Sequence, residues 1–228
     1  MNTRLKMAAV FAVVMALLPF VPRLFVKGQA EEGTVLMLTE DGERLELSER
    51  EYVIGAVFAS LPADSPDEAL KAQAVLARTY LERRRAEESK SPTEELEGCL
   101  FSDDTSKYNA YFSEKEAAAL CGADYARLYG RVAAAADYAM DKCLTYDGEP
   151  ITAPFHAESD GRTLSALEAW GEDIPYLRGT DCPHDSEGSP CVGLSQHEML
   201  AMAESGADCE EILSKFFSNA QFTMHNAQ

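Results

Sequence analysis

The stretch EYVIGAVFASLPADSPDEALKAQAVLARTY, residues 51–80, determines how the chain folds. Ser48 and Glu51 have the spacing of a helix capping box, and residues 65–68 repeat that spacing with a proline at the first helical position. The second box predicts a helix over residues 66–88. Small side chains on this helix favour close packing against a neighbouring helix, which indicates core rather than a cofactor site; they are Ala69, Ala72, Ala74 and Ala77.

Two β-hairpins are predicted around Asp-Gly turns, one on each side of the helices. The first joins residues 34–39 to residues 44–47, and the second joins residues 144–146 to residues 151–155. Hairpins combined with helices, without βαβ alternation, indicate an α+β fold. We therefore expect a single domain over residues 31–228.

The middle of the chain is predicted to be helical outside one charged segment. Residues 82–97 are rich in charge and contain a Ser-Pro pair, so we expect them to leave the core as a solvated segment. Ser113 and Glu116 predict another capped helix, and the alanine-rich residues 124–142 predict a longer one.

Residues 1–30 have the pattern of an export signal. Arg4 and Lys6 precede the apolar residues 7–21, and a small-residue site for signal peptidase ends at Ala30. Either the segment is cleaved after Ala30 and the domain is secreted, or it stays as a single membrane anchor with the domain outside. We predict the anchor.

The charge of the chain restricts its partners. There are 39 acidic and 20 basic residues, which gives a formal net charge of −19. Such a surface repels nucleic acid, so DNA and RNA are excluded as partners.

Six cysteines in an exported chain are potential disulfide partners. Cys182 and Cys191 alone are close enough in sequence to indicate a bridge from spacing. The loop between them contains His184, but structural zinc normally uses four ligands in paired spacings, which this loop lacks. We therefore predict neither a metal nor a cofactor.

Residues 51–80 closely resemble the signature of the stage II sporulation protein D (SpoIID/LytB) family, E-Y-V-x-G-V-V-A-x-E-M-P followed by E-A-L-K-A-Q-A-V-A-A-R-T-Y. The resemblance continues in residues 144–151 (LTYDGEPI), 155–163 (FHAESDGRT) and 192–196 (VGLSQ). The family implies a peptidoglycan lytic transglycosylase active in sporulation. It also favours the membrane anchor, because such proteins are typically held in the membrane.

The chain departs from the family at the position of its catalyst. The family's acid is the Glu before Met-Pro, and Ser60 occupies that position. One carboxyl group protonates the leaving oxygen and then deprotonates the sugar 6-hydroxyl, and a serine hydroxyl is too weak an acid for this. Lys107 and Tyr108 stand where some members have a zinc-binding His-Cys pair, and Pro190 lies in a shortened loop. Together these changes indicate relaxed catalysis.

Several other residues are predicted to lie near the groove that the resemblance implies. Glu158 is the candidate substitute acid and Asp160 a second carboxylate nearby, although both can be read as surface acids. His156 matches the family's Tyr-His. Arg78 either binds a peptidoglycan carboxylate or pairs with an internal acid. Ser195 and Gln196 either bind the glycan or cap the following helix.

Three functions remain open from the sequence. The first is an active lytic transglycosylase using a relocated acid, and the second is a peptidoglycan-binding member with weak or no catalysis. The third is an enhancer of a separate cell-wall amidase. The expected partners are peptidoglycan glycan strands, other sporulation cell-wall hydrolases, and the membrane through residues 1–30. We predict the second function.

Overall fold

The two helices predicted from residues 51–80 lie at the centre of the structure, a computed structural model that describes residues 33–224. Helix α1 is Glu49–Ser60 and helix α2 is Asp67–Lys90. The capping box at Ser48 is confirmed: the Ser48 N–H donates to Glu51 Oε2 at 2.8 Å, and the Glu51 N–H donates to Ser48 Oγ at 3.2 Å. This box fixes where α1 begins.

The predicted capping box at the start of α2 is wrong. Pro66 occupies the N-cap position, and no side chain caps the helix there. The Glu68 carboxylate is instead shared between Lys71 Nζ at 2.6 Å and the backbone N–H of Cys209 at 3.0 Å. Glu68 thus joins the start of α2 to a helix start 141 residues away.

The prediction that residues 82–97 leave the core as a solvated segment is confirmed only in part, since residues 89–92 are exposed. Helix α2 continues through their first half to Lys90, and a 3-10 turn, Glu94–Leu96, brings Leu96 back into the protein, where it is buried. Glu88 holds this return, because its carboxylate accepts hydrogen bonds from the N–H and hydroxyl of Thr93 at 2.7 and 2.6 Å. The charged residues bind one another rather than water alone.

The first predicted hairpin is confirmed and forms part of a three-stranded sheet of order β2-β1-β3. Strand β1 is Thr34–Leu38 and β2 is Arg44–Ser48, and Gly42 adopts the positive φ of 79° that the turn requires. Strand β3, Phe101–Ser102, pairs in parallel with β1. This pairing places the polar segment after β3 beside α1.

The second hairpin is confirmed at its turn but is shorter than predicted. Strand β4 is Lys142–Tyr146 and β5 is only Glu149–Pro150. The chain then departs to form β6, Phe155–His156, which pairs in parallel with β7, Leu194–Ser195. Strand β8, Gln221–Met224, which was not predicted, completes the sheet of order β5-β4-β8.

Helix α2 packs against α1, strand β4 and a helix from the middle of the chain. That helix, α4, is Tyr125–Ala139, slightly shorter than predicted. Ala69, Ala72, Ala74 and Ala77 are all buried, as the sequence predicted for a close helix contact. The other helices are α3 (Glu114–Cys121), α5 (Ala166–Trp170), α6 (Gln196–Glu204) and α7 (Cys209–Phe216). Helices and small sheets confirm the α+β class.

The structure does not contain the predicted disulfide. Cys182 and Cys191 are both free thiols. Cys182 is buried, with its thiol 3.7 Å from the carbonyl oxygen of Thr180, whereas Cys191 is partly exposed. The short spacing between the two cysteines therefore did not predict a disulfide correctly.

The predicted anchor, residues 1–30, lies outside the described residues. Among residues 33–224, no helix combines the length and apolar character needed to cross a bilayer.

Candidate functional site

An open groove of about 540 Å³ lies where the end of α1 meets α2. Two loops, residues 105–110 and 151–155, complete its walls, and Gln196 closes one side. Its volume is in the usual range for a ligand site. We call this cavity the groove; side chains in its lining include Ser60, Tyr80, Arg83, Arg84, Glu87, Tyr108 and Phe155.

Ser60, at the position of the family's acid, lies in the groove as the last residue of α1. Its hydroxyl donates to the carbonyl oxygen of Ala56, one helical turn earlier, at 2.7 Å. None of its described hydrogen bonds is to a histidine, lysine or carboxylate. The hydroxyl therefore has no base to activate it.

Gln196 and Ser195 are neighbours with different surroundings. Gln196 lies in the groove, where its Nε2 donates to the carbonyl oxygen of Ser60 at 3.0 Å and to Gln73 Oε1 at 3.2 Å. Ser195 is fully buried, and its Oγ accepts the N–H of Glu198 as the N-cap of α6. Gln196 is thus positioned to meet a ligand, and Ser195 has the capping role.

Two arginines that were not predicted line one wall of the groove, where both pair with acidic side chains. Arg83 Nε lies 2.8 Å from Glu87 Oε1, and a terminal nitrogen of Arg84 lies 2.8 Å from Glu87 Oε2. Both follow the A-R-T-Y motif by one helical turn, and that spacing on α2 could have identified them. The groove lining has two arginines and one glutamate, although the chain is strongly acidic.

Aromatic side chains form the other walls of the groove. Tyr80 lines it from α2, and burial raises the pKa of its phenol to about 12, so the hydroxyl stays protonated. Tyr108 lies with its ring centroid 5.4 Å from the Arg84 guanidinium, a cation–π geometry. Phe155 contributes a third ring. Lys107, next to Tyr108, is exposed and pairs with Asp104 at 3.5 Å.

His156 lies beside the groove but is not part of its lining. It follows Phe155 in β6, and successive side chains of a strand point to opposite faces. Both ring nitrogens are buried without a hydrogen-bond partner among the described residues. Burial lowers the pKa of His156, and the charge of Asp185 and the backbone of Val192 oppose this only in part. The ring is therefore neutral near pH 7.

The two candidate acids also lie outside the groove lining. Glu158 Oε1 accepts the N–H groups of Ser186 at 2.8 Å and Glu187 at 3.1 Å, and these hydrogen bonds lower the pKa of Glu158. Asp160 is exposed. A carboxyl group that is ionised at neutral pH is a poor proton donor, which weakens the case for Glu158 as a relocated acid.

Arg78 is buried with internal acids rather than directed into the groove. Its guanidinium binds Glu82, lies 3.3 Å from Glu49 Oε2, and donates to the carbonyl oxygen of Met140 at 3.3 Å. Burial alone would raise the pKa of Glu82, but the hydrogen bonds and charges of Arg78 and Arg85 together outweigh it and lower that pKa. Of the two predicted roles, the structure supports the internal ion pair.

The fold and groove together define an α+β domain with an open groove lined by arginine and aromatic side chains. The family model described as "Stage II sporulation protein" (SpoIID) matches residues 42–146, which include α1, α2 and Tyr108. Over these residues the chain is similar to the stage II sporulation protein D family.

Curated relatives show the same similarity. The chain is 38% identical over 137 residues to stage II sporulation protein D of Bacillus subtilis (strain 168), and 37% identical over 137 residues to that of Bacillus amyloliquefaciens. An uncharacterised protein of Brachyspira hyodysenteriae is 31% identical over 134 residues. The alignments cover 60%, 60% and 59% of this chain, and 39%, 39% and 32% of the three relatives. The chain thus spans well under half the length of these relatives.

Proposed function

We propose that the chain acts in sporulation by binding peptidoglycan glycan strands in the groove, with weak or no cleavage of them. One observation carries the proposal: Ser60, at the position of the family's acid, lines an open groove. The sporulation role rests on the family and on the printed name of the Bacillus relatives. The sugar ligand rests on the chemistry of the groove walls.

The groove walls suit an anionic, hydroxyl-rich polymer. Peptidoglycan strands carry carboxylates on their sugars and peptides, and arginine side chains bind carboxylates through paired hydrogen bonds. Arg83 and Glu87 are each more than a third exposed, so a ligand carboxylate can replace Glu87 beside Arg83. Tyr108 and Phe155 add apolar faces against which sugar rings can lie.

Weak or absent catalysis follows from the lack of a free acid in the groove. The Ser60 hydroxyl is bonded to the Ala56 carbonyl and cannot supply a proton near neutral pH. Glu87 is the carboxylate in the groove lining, but its two oxygens are bound to Arg83 and Arg84. In the unliganded groove each oxygen of Glu87 is thus held by an arginine.

This function requires the domain to face the cell wall. The apolar segment within residues 1–30, preceded by Arg4 and Lys6, supports placement of residues 31–228 outside the cell membrane. Other cell-wall hydrolases of sporulation act on the same polymer. We propose them as partners of this chain.

The role of the groove can be measured with purified peptidoglycan strands and the purified chain. Tyr108→Ala is expected to weaken binding about fivefold to tenfold, because it removes an aromatic wall and the partner of Arg84, a loss of about 1–1.4 kcal/mol. Isothermal titration or sedimentation with insoluble peptidoglycan gives the affinity.

Tyr129→Ala is the matched control. Tyr129 is also half-buried, but it packs on Phe58 and Tyr125 away from the groove. Equal affinities of wild type and Tyr108→Ala, or an equal loss in both variants, would rule out the groove as the binding site.

A further inference from the structure

Three side chains from distant parts of the sequence meet outside the groove: Glu158, Asp185 and His197. One potential ligand atom from each lies within 4.8 Å of the other two. His197 Nδ1 is 3.2 Å from Asp185 Oδ1 and 3.9 Å from Glu158 Oε1. We call this group the carboxylate–histidine cluster.

Hydrogen bonds hold the two carboxylates of the cluster in place, and Glu158 Oε1 accepts the N–H groups of Ser186 and Glu187. Asp185 Oδ2 accepts the N–H of Ser159 at 2.8 Å and its hydroxyl at 2.6 Å, which leaves Oδ1 directed to His197. The loop that presents Glu158 is tightly packed, since a Cβ on Gly188 would lie 2.0 Å from the Glu158 carbonyl oxygen. Such outer hydrogen bonds are the usual way in which metal ligands are oriented.

Among the described residues, neither lysine nor arginine balances the charge of the two carboxylates in the cluster. Among residues 33–224, the ion pairs of Glu158 and Asp185 are both with His197, and neither involves lysine or arginine. The nearby buried Glu198 differs, because Lys215 Nζ lies 2.5 Å from its Oε1. The side chain of Asp185 is fully buried, so its carboxylate is shielded from solvent and has His197 as its ion-pair partner among the described residues.

The spacing of the ligand atoms matches a small divalent ion. Metal–nitrogen and metal–oxygen bonds of about 2.0–2.2 Å place neighbouring ligands of a tetrahedral zinc site about 3.3–3.5 Å apart. The observed 3.2 and 3.9 Å are near these values, and the third separation, between the two carboxylates, is at most 4.8 Å, so binding requires the side chains to close on the ion. His197 is half-exposed, which opens a path for the ion and leaves room for water as a fourth ligand.

We propose that Glu158, Asp185 and His197 bind one divalent transition-metal ion of the zinc type. This site is separate from the groove, and it differs from the sequence prediction of no metal because its ligands are brought together only by folding. His184, the histidine considered from the sequence, is instead bound to Glu198 at 2.9 Å. The ion would fasten residues 158–188 to the first turn of α6, beside Gln196.

Zinc titration of the chelator-treated full chain tests the proposal. We expect one zinc ion to bind in competition with a chromophoric chelator and to raise the melting temperature. His197→Ala is expected to lower the affinity at least tenfold, and Asp185→Asn to do the same if circular dichroism shows it folded. His184→Ala, a histidine of equal exposure bound to a carboxylate in the same region, should leave the affinity unchanged.

Cobalt substitution separates this site from the six cysteines. Binding through oxygen and nitrogen predicts a visible cobalt spectrum without the thiolate charge-transfer band in the near ultraviolet. The proposal is overturned by a thiolate band, by equal zinc affinity in wild type and His197→Ala, or by no saturable binding at millimolar zinc.

Discussion

Gly55→Ala is expected to destabilise the protein by about 2–3 kcal/mol. Gly55 lies in α1 beneath the chain that forms one wall of the groove, and a Cβ there would lie 2.2 Å from a ring carbon of Tyr111 and 2.4 Å from the carbonyl oxygen of Phe112. The Phe112 N–H also donates to the Gly55 carbonyl at 3.1 Å, so the two backbones cannot separate without losing this bond. The cost of overpacking exceeds the roughly 1 kcal/mol that alanine contributes in a helix interior.

Gly130→Ala is the matched control for this substitution. Gly130 lies inside α4, and no atom beyond its own helix is within 4 Å of a Cβ placed there. Alanine at this position should stabilise the protein by about 0.5–1 kcal/mol. Urea unfolding followed by circular dichroism measures both. If both substitutions changed the free energy of unfolding by similar amounts in the same direction, the close approach of Tyr111 and Phe112 to Gly55 would be contradicted.

Arg78→Ala is expected to cost about 2–4 kcal/mol, because it removes one of the two guanidiniums that neutralise the buried Glu82 and Glu49 and leaves these acids with the more exposed Arg85. The side chains of these acids are only 13% and 14% exposed, and Arg78 is 5% exposed. Arg127→Ala is the control, since Arg127 pairs with Asp124 at 3.4 Å on the surface. That variant should change stability by less than about 0.5 kcal/mol. A loss below about 1 kcal/mol in Arg78→Ala would contradict the buried network.

The loss of stability in Arg78→Ala is expected to depend on pH. Arg78 lowers the pKa of Glu82 in the folded protein, so this stabilisation is present above the unfolded pKa of about 4.5 and is lost as the pH falls through the folded value. The difference in unfolding free energy between wild type and Arg78→Ala should therefore be largest near pH 7 and narrow below about pH 4.5. A constant difference from pH 7 to pH 3 would show that the charge of Glu82 is not the cause.

Short sequence motifs correctly predicted helix starts and turns that depend only on neighbouring residues. The Ser48 and Ser113 capping boxes and both Asp-Gly turns depend on residues within four positions of one another, and all are confirmed. Predictions failed where a distant partner decided the outcome. Glu68 satisfies the backbone of Cys209 rather than its own helix, and β8 exists because Lys142–Tyr146 pairs with it.

The residues of the candidate site, like the elements of the fold, could be predicted only where a local sequence motif marked them. Ser60 and Gln196 were identified from sequence motifs, and the structure brings them together through a hydrogen bond over 136 positions. Arg83 and Arg84 were missed because they lie in a charged stretch that resembles a solvated surface. The carboxylate–histidine cluster could not be inferred from spacing, because its three members come from separate segments that only the packed loops bring within 4.8 Å.

The most direct test of binding with weak or no cleavage is mass spectrometry of peptidoglycan strands incubated with the purified full chain. The proposal predicts that the chain sediments with the strands and releases no anhydro-muropeptides, and that Ser60→Glu restores little activity, because residues that act as a unit are not restored singly. Release of anhydro-muropeptides by the wild-type chain, abolished by Glu87→Gln or Glu158→Gln in a folded protein, would contradict it.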